Sequence, residues 1–259
     1  MKSALILMLA PALVLIAQIS PSVPSDSSAA RTPILVELFT SEGCSDCPPA
    51  DAFLQDLDQQ PFPGAEMIVL SEHVDYWNHD GWTDPYSSHF YSERQEAYAS
   101  EFALRSVYTP QMVVDGSSQF VGSNQAEATK AFAAAVAAPK IGIRLSSLSL
   151  DSANALRARV ETDALPSGHK ADVYLAIALN HAESQVSAGE NAGRRISHTA
   201  VVRIMNKVGS IQKDHAFAQD IQVKLPSNLP ADDLRVVAFV QQAHQGRILA
   251  VTMQALNHR

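Results

Sequence analysis

The sequence predicts an α/β domain followed by an antiparallel β-sandwich-like domain. Three observations predict it. From Ile34 to about Ala138, apolar runs and helical patterns follow each other in the order β-α-β-α-β-β-α. From Lys140 onward, short alternating segments separated by turn residues replace that pattern. The only two cysteines of the chain, Cys44 and Cys47, stand where the first apolar run hands over to the first helix.

Ile34–Phe39 is apolar apart from Glu37 and β-branched at Ile34 and Val36, which suits a parallel strand buried on both faces. Pro48 or Pro49 suits the first turn of a helix, where no N–H bond is needed, and that helix runs to about Gln59 with Phe53, Leu54 and Leu57 inward. Met67–Leu70 is a second buried strand. An aromatic, turn-rich insert at about 75–105 follows, with both tryptophans, Trp77 and Trp82, and a helix over 87–104. Gln111–Val114 and Gln119–Val121 flank the hairpin signal Asp115-Gly116, and Ser123 or Asn124 caps an alanine-rich helix. Beyond Pro139 the candidate strands are 141–145, 156–161, 173–179, 182–188, 199–205, 219–225, 234–241 and 247–253. The division is therefore 1–30, 31–138 and 139–259.

Residues 1–30 read as a secretory signal peptide: Lys2 precedes an apolar stretch to Ala17, then small residues suited to cleavage. That stretch falls short of a membrane span. A membrane anchor follows only if the signal stays uncleaved. In either case the body of the protein is periplasmic or secreted. The net charge is −8, and Lys2 and Asp26 cancel within the leader, so the mature chain keeps it. No basic block invites nucleic acid.

A dithiol at a strand-to-helix junction is placed for redox chemistry. The helix N-terminus offers unpaired N–H groups and a partial positive charge, which favour a thiolate. A disulfide between cysteines so close in sequence closes too small a loop to stabilise a fold by entropy. Cys44 is the expected nucleophile, nearer solvent, and Cys47 the resolving thiol. Asp46 between them opposes the Cys44 thiolate by at most about 3 kcal/mol at ~6 Å and an effective dielectric of ~20, and by about 1 or less in solvent. The helix end returns roughly 0.3–1 kcal/mol. The near-cancellation predicts a mild, reducing-leaning couple. Glu37, an acid in an apolar strand, is costly to bury unless a neighbouring backbone group or arginine satisfies it.

These segments resemble the thioredoxin superfamily. Ile34-Leu35-Val36-Glu37 is similar to its first central strand, Cys44 and Cys47 to its CxxC pair, and Thr109-Pro110 to its cis-proline. The resemblance covers about residues 33–138. It implies a thioredoxin-like N-terminal domain, a cis Pro110 beside the dithiol, a proton-relay role for Glu37, and a partner chain held along Thr109. Gly43 stands where thioredoxins carry a tryptophan. The whole mature chain also resembles a secreted bacterial family, domain of unknown function 1223. The motifs are Glu37–Asp51, His73-Val74-Asp75-Tyr76-Trp77, Tyr108–Val114 and Gly189-Glu190-Asn191-Ala192-Gly193-Arg194.

The expected function is thiol–disulfide exchange, without a cofactor, on a disulfide-bearing protein or a small thiol. Cys44, Cys47, Glu37 and Pro110 are the catalytic candidates. Thr109, Tyr76, Trp77, Asn191 and Arg194 are the substrate-binding ones. Two other readings fit the same residues. In one, Cys44, Cys47 and His73 hold copper or zinc in a metallochaperone. In the other, the pair stays oxidised in a non-catalytic binding module, with the aromatic insert as its interface.

Overall fold

The computed structural model describes residues 31–60, 62–165, 170–211 and 214–256. The expected signal peptide, 1–30, lies outside the described residues. No helix among the described residues is long and apolar enough to cross a membrane.

β1 (Thr32–Thr40) is buried along nearly its whole length and pairs in parallel with β2 (Ala65–His73). Between them runs α1 (Pro48–Gln59), with prolines in its first turn and Cys47 as N-cap. Leu54 and Leu57 are buried on its inner face, with Phe53 packed beside them. After the insert, α2 (His89–Glu101) starts at Ser88, whose hydroxyl accepts from Phe90 N. β3 (Gln111–Val114) pairs antiparallel with β1 and with β4 (Ser118–Val121), and α3 (Gln125–Ala137) follows, capped by Asn124.

The second half contributes β5 (Ile143–Leu150), β6 (Ala155–Thr162), β7 (Ala171–Gln185), β8 (Arg195–Ile211), β9 (Ala218–Lys224), β10 (Leu234–Gln242) and β11 (Ile248–Ala255). The segments 173–179 and 182–188, read separately from the sequence, form the one long strand β7 as far as Gln185. Its alternation changes from both faces buried to one face exposed near Asn180.

The central sheet does not end at the sequence boundary near 138. Its eight strands run β11-β10-β7-β8-β2-β1-β3-β4, with β8 joining β2 in parallel at Ser71 and Val201. The smaller sheet, β5-β6-β9, packs on the β7–β10 side through Leu145, Leu156, Val160, Val173, Ile177 and Val236. The larger sheet also curls on itself. Leu35, Ile68 and Leu70 from the first half pack with Ala176, Val202, Phe239 and Val251 from the second. β10 is therefore covered on both faces, which explains its apolar run Val236–Val240. The described residues from Arg31 onward cluster as one unit.

The two hairpin turns 115–116 and 242–247 also meet. Asp115 accepts from Leu35 N and Lys140 Nζ, while its backbone oxygen accepts from Ile248 N. A Cβ on Gly116 would lie 2.5 Å from the Gly246 oxygen, and φ there is +59°, so glycine is required twice over.

Candidate functional site: a covered disulfide over a buried polar cluster

Strand β1 ends at Thr40, and Ser41–Cys47 turns the chain into α1. Cys44 and Cys47 are joined by a disulfide with their Cα atoms 5.4 Å apart. Ser45 and Asp46 are exposed, but the cysteines are not: Cys44 is 1% and Cys47 0% accessible. Cys44, expected nearer solvent than Cys47, is covered almost as fully, because two separate segments lie over it.

The first cover is the loop between β7 and β8. Asn191 Nδ2 donates to the carbonyl oxygens of Glu42 (2.9 Å) and Cys44 (2.8 Å). Arg194 Nη1 donates to Asn191 Oδ1 (3.1 Å), which orients the amide with its N–H groups toward the dithiol turn. Glu190 Oε2 accepts from Ser45 N (2.9 Å). The second cover is the insert. A Cβ on Gly43 would lie 2.7 Å from the Trp77 carbonyl oxygen, so the insert's backbone fills the space over that position. Trp77 Nε1 donates to Thr109 Oγ1 (2.7 Å), and Trp82 Nε1 to Glu42 Oε2 (3.0 Å). Tyr76 lies farther out, donating to Gln95 Oε1 (3.0 Å).

The Thr109–Pro110 bond is cis. A Cβ on Gly122 would lie 2.7 Å from Leu38 Cδ1, 3.0 Å from Ala50 Cβ and 3.3 Å from Pro110 Cβ. The cis-proline, β1 and the first turn of α1 thus converge at one point.

Glu37 is not part of this arrangement. Side chains alternate along β1, and Ile34, Val36 and Leu38 face α1 and α3. Glu37 faces the other way, fully buried, accepting from Arg94 Nε (2.8 Å) and Tyr98 Oη (2.6 Å). Gln241 from β10 bonds both Arg94 (3.2 Å) and Tyr98 (2.9 Å). The arginine alternative describes Glu37, and the proton-relay placement is corrected: the sheet stands between this side chain and α1. Glu72 lies beside the same arginine, 3.4 Å from Nε. Burial first, and then the charge of Glu37, push its carboxyl well above the ordinary range.

The sequence alone assigns Glu42 and Asp51 no role of their own beside the dithiol. Glu42 and Asp51 bracket the pair in sequence, and both are buried. His198, from β8, sits with its Nε2 3.3 Å from Glu42 Oε1 and its Nδ1 3.7 Å from Asp51 Oδ1. Burial works against a charge on His198, but the charges of Asp51 and Glu42 outweigh it and raise its pKa to about 10. The His198 ring lies edge-on to His73, centroids 4.6 Å apart, and to Tyr86 at 5.9 Å. His73 Nδ1 pairs with Asp84 Oδ2 at 2.7 Å. Burial alone would raise Asp84, yet His73 and the N–H groups of Glu42 and Tyr86 hold it at about 2. His73 is thus committed to Asp84 on one nitrogen. Among the described residues no group of three or more histidine, cysteine or acidic side chains is arranged to hold a metal ion.

Residues 35–241 match the family described as protein of unknown function DUF1223, and the chain belongs to that family. A solved structure of an Agrobacterium tumefaciens protein is 25% identical, with a TM-score of 0.66, over 89% of this chain and 97% of that one. HBP35 of Porphyromonas gingivalis is 16% identical with a TM-score of 0.64, over 87% of this chain and 76% of that one, a likeness of fold alone. A comparison with curated protein sequences finds no match.

Proposed function

We propose that this protein is a thiol–disulfide oxidoreductase of the periplasm or the extracellular space, built on a thioredoxin-like half, residues 31–138. The observation that carries the reading is the Cys44–Cys47 disulfide at the start of α1, with the cis Thr109–Pro110 peptide against the same turn. The helix N-terminus stabilises a thiolate there. The substrate class is a disulfide-bearing protein or a small thiol or disulfide.

In the reducing direction, the Cys44 thiolate attacks one sulfur of the substrate disulfide. That bond breaks, and its electron pair leaves on the other substrate sulfur. Cys47, losing its proton, then attacks Cys44 Sγ in the mixed disulfide. The Cys44–Cys47 bond forms and the second substrate thiolate departs. Both sulfurs are covered, so exchange requires the Gly189–Arg194 loop to leave Cys44 first.

The test is the midpoint potential of the mature protein titrated with reduced and oxidised glutathione. A reversible two-electron couple between about −280 and −120 mV lies within the span of known exchange proteins and supports the reading. A pair that resists reduction in the folded protein overturns it.

A further inference from the structure

Glu42, Asp51 and His198 form a buried polar cluster beside the turn that carries the disulfide. Glu42 stands two residues before Cys44, in the turn that Asn191 ties to the Cys44 carbonyl. Asp51 stands four residues after Cys47, and its N–H donates to the Cys47 oxygen at 3.1 Å. Residues four apart share a helix face, so the Asp51 side chain lies on the Cys47 side of α1. His198 lies between the two acids from β8, 156 positions after Glu42, and its side chain is 0% exposed.

The cluster is incompletely hydrogen-bonded. Asp51 Oδ1 and His198 Nδ1 face each other 3.7 Å apart, too far for a hydrogen bond, and His73 Nε2 is buried with no hydrogen-bond partner among the described residues. Leaving a buried polar group unmade costs roughly 1–3 kcal/mol. An apolar filling of the same volume would be cheaper. A cost kept at a dithiol points to chemistry there.

We propose that His198, held between Glu42 and Asp51, is a positioning residue that offsets the negative charge of those acids beside the reduced Cys44–Cys47 pair. This rests on the exchange reading above. When an external dithiol reduces the pair, its first thiolate bonds to Cys44 Sγ. The Cys44–Cys47 bond breaks and its electron pair leaves on Cys47 Sγ. The second thiol of the reductant then gives up its proton and attacks its own sulfur. Its disulfide closes and Cys44 keeps the electron pair. Two electrons have entered a closed space at the first turn of α1. His198 supplies positive charge on that side against the two acids, so the trio is less negative with His198 than without it. The other groups around the imidazole are His73, paired to Asp84, and Tyr86, which carries Arg203 over its ring.

The arrangement predicts opposite effects from its members. His198→Gln removes the positive charge and shifts the equilibrium with glutathione at least tenfold toward the disulfide, about 30 mV more negative. Asp51→Asn removes the opposing charge and shifts it toward the dithiol by a similar factor. The Cys44 thiol pKa, followed by thiolate absorbance, rises in the first variant and falls in the second. A merely structural cluster destabilises the fold in both variants and leaves potential and thiol pKa in place. That outcome overturns the proposal, as does a shift of the same sign in both. If His198→Gln fails to fold, Asp51→Asn alone decides by the sign of its shift. Wild-type protein that exchanges reversibly with glutathione while the variants keep its potential defeats this inference only. Wild-type protein that does not exchange defeats the exchange reading beneath it.

Discussion

Asn191 holds Cys44 by its backbone: one side-chain amide donates to the carbonyl oxygens of both Cys44 and Glu42, at 2.8 and 2.9 Å. The Gly189–Arg194 loop is in this way a cover fixed by two hydrogen bonds, with Glu190 adding a third contact to Ser45 N. Each such bond contributes about 1 kcal/mol. Asn191→Ala is expected to raise the rate of disulfide reduction by dithiothreitol about tenfold and to lower the melting temperature by a few degrees. An unchanged rate would mean that the loop does not limit access.

Gly43 is required by the insert rather than by its own backbone conformation. A Cβ there would lie 2.7 Å from the Trp77 carbonyl oxygen and 3.0 Å from Trp77 Cβ. Gly43→Ala is expected to destabilise by about 1–3 kcal/mol, as overpacking does. It should also change tryptophan fluorescence, because Trp77 must shift from Thr109. Wild-type stability and emission would show that the insert yields freely.

Glu37 and Arg94 form a buried pair on the face of β1 opposite α1, side chains 0% and 3% exposed. Breaking such a pair by removing one partner costs roughly 3–5 kcal/mol. Arg94→Met should therefore lower stability by about that amount in urea unfolding. Glu37→Gln, which a proton relay would make slow in exchange, should instead lose stability and keep the exchange rate of wild type under folding conditions. A slowed rate without loss of stability would restore the relay role.

Glu72 supplies a pH dependence of definite sign. Its carboxyl is raised in the folded protein, by burial first and by Glu37 next. The native state therefore binds the proton more tightly than the unfolded chain. Stability falls as pH rises from the ordinary carboxylate range toward the raised value. Glu72→Gln should flatten that decline, with melting temperature followed from pH 4 upward. A decline of equal slope in the variant would assign it to other groups.

The dithiol turn, the prolines opening α1 and the hairpin at Asp115-Gly116 are legible in the sequence because local pattern determines them. The CxxC motif, the β-α junction and the Asp-Gly turn each act within a few residues. The buried cluster is not legible, because its members look ordinary where they stand. Glu42 is one polar residue in a turn, Asp51 one acid in a helix, and His198 one residue of an alternating strand. Only the packing of α1 against β8 brings them together. Glu37 misleads for the related reason that alternation along a strand tells which residues share a face, but not which face meets α1. The joining of β8 to β2 rests on one short parallel contact at Ser71 and Val201, which no local signal marks.

The cover over Cys44 comes from residues 147 positions downstream in the chain. Chains emerge N-terminus first, so the two cysteines are made, and able to meet their surroundings, well before Asn191 exists. A young chain offers the pair openly to any oxidant or thiol nearby, while the finished one withholds it. The order of synthesis thus leaves the sulfurs uncovered until the Gly189–Arg194 loop has been made and has docked on Cys44.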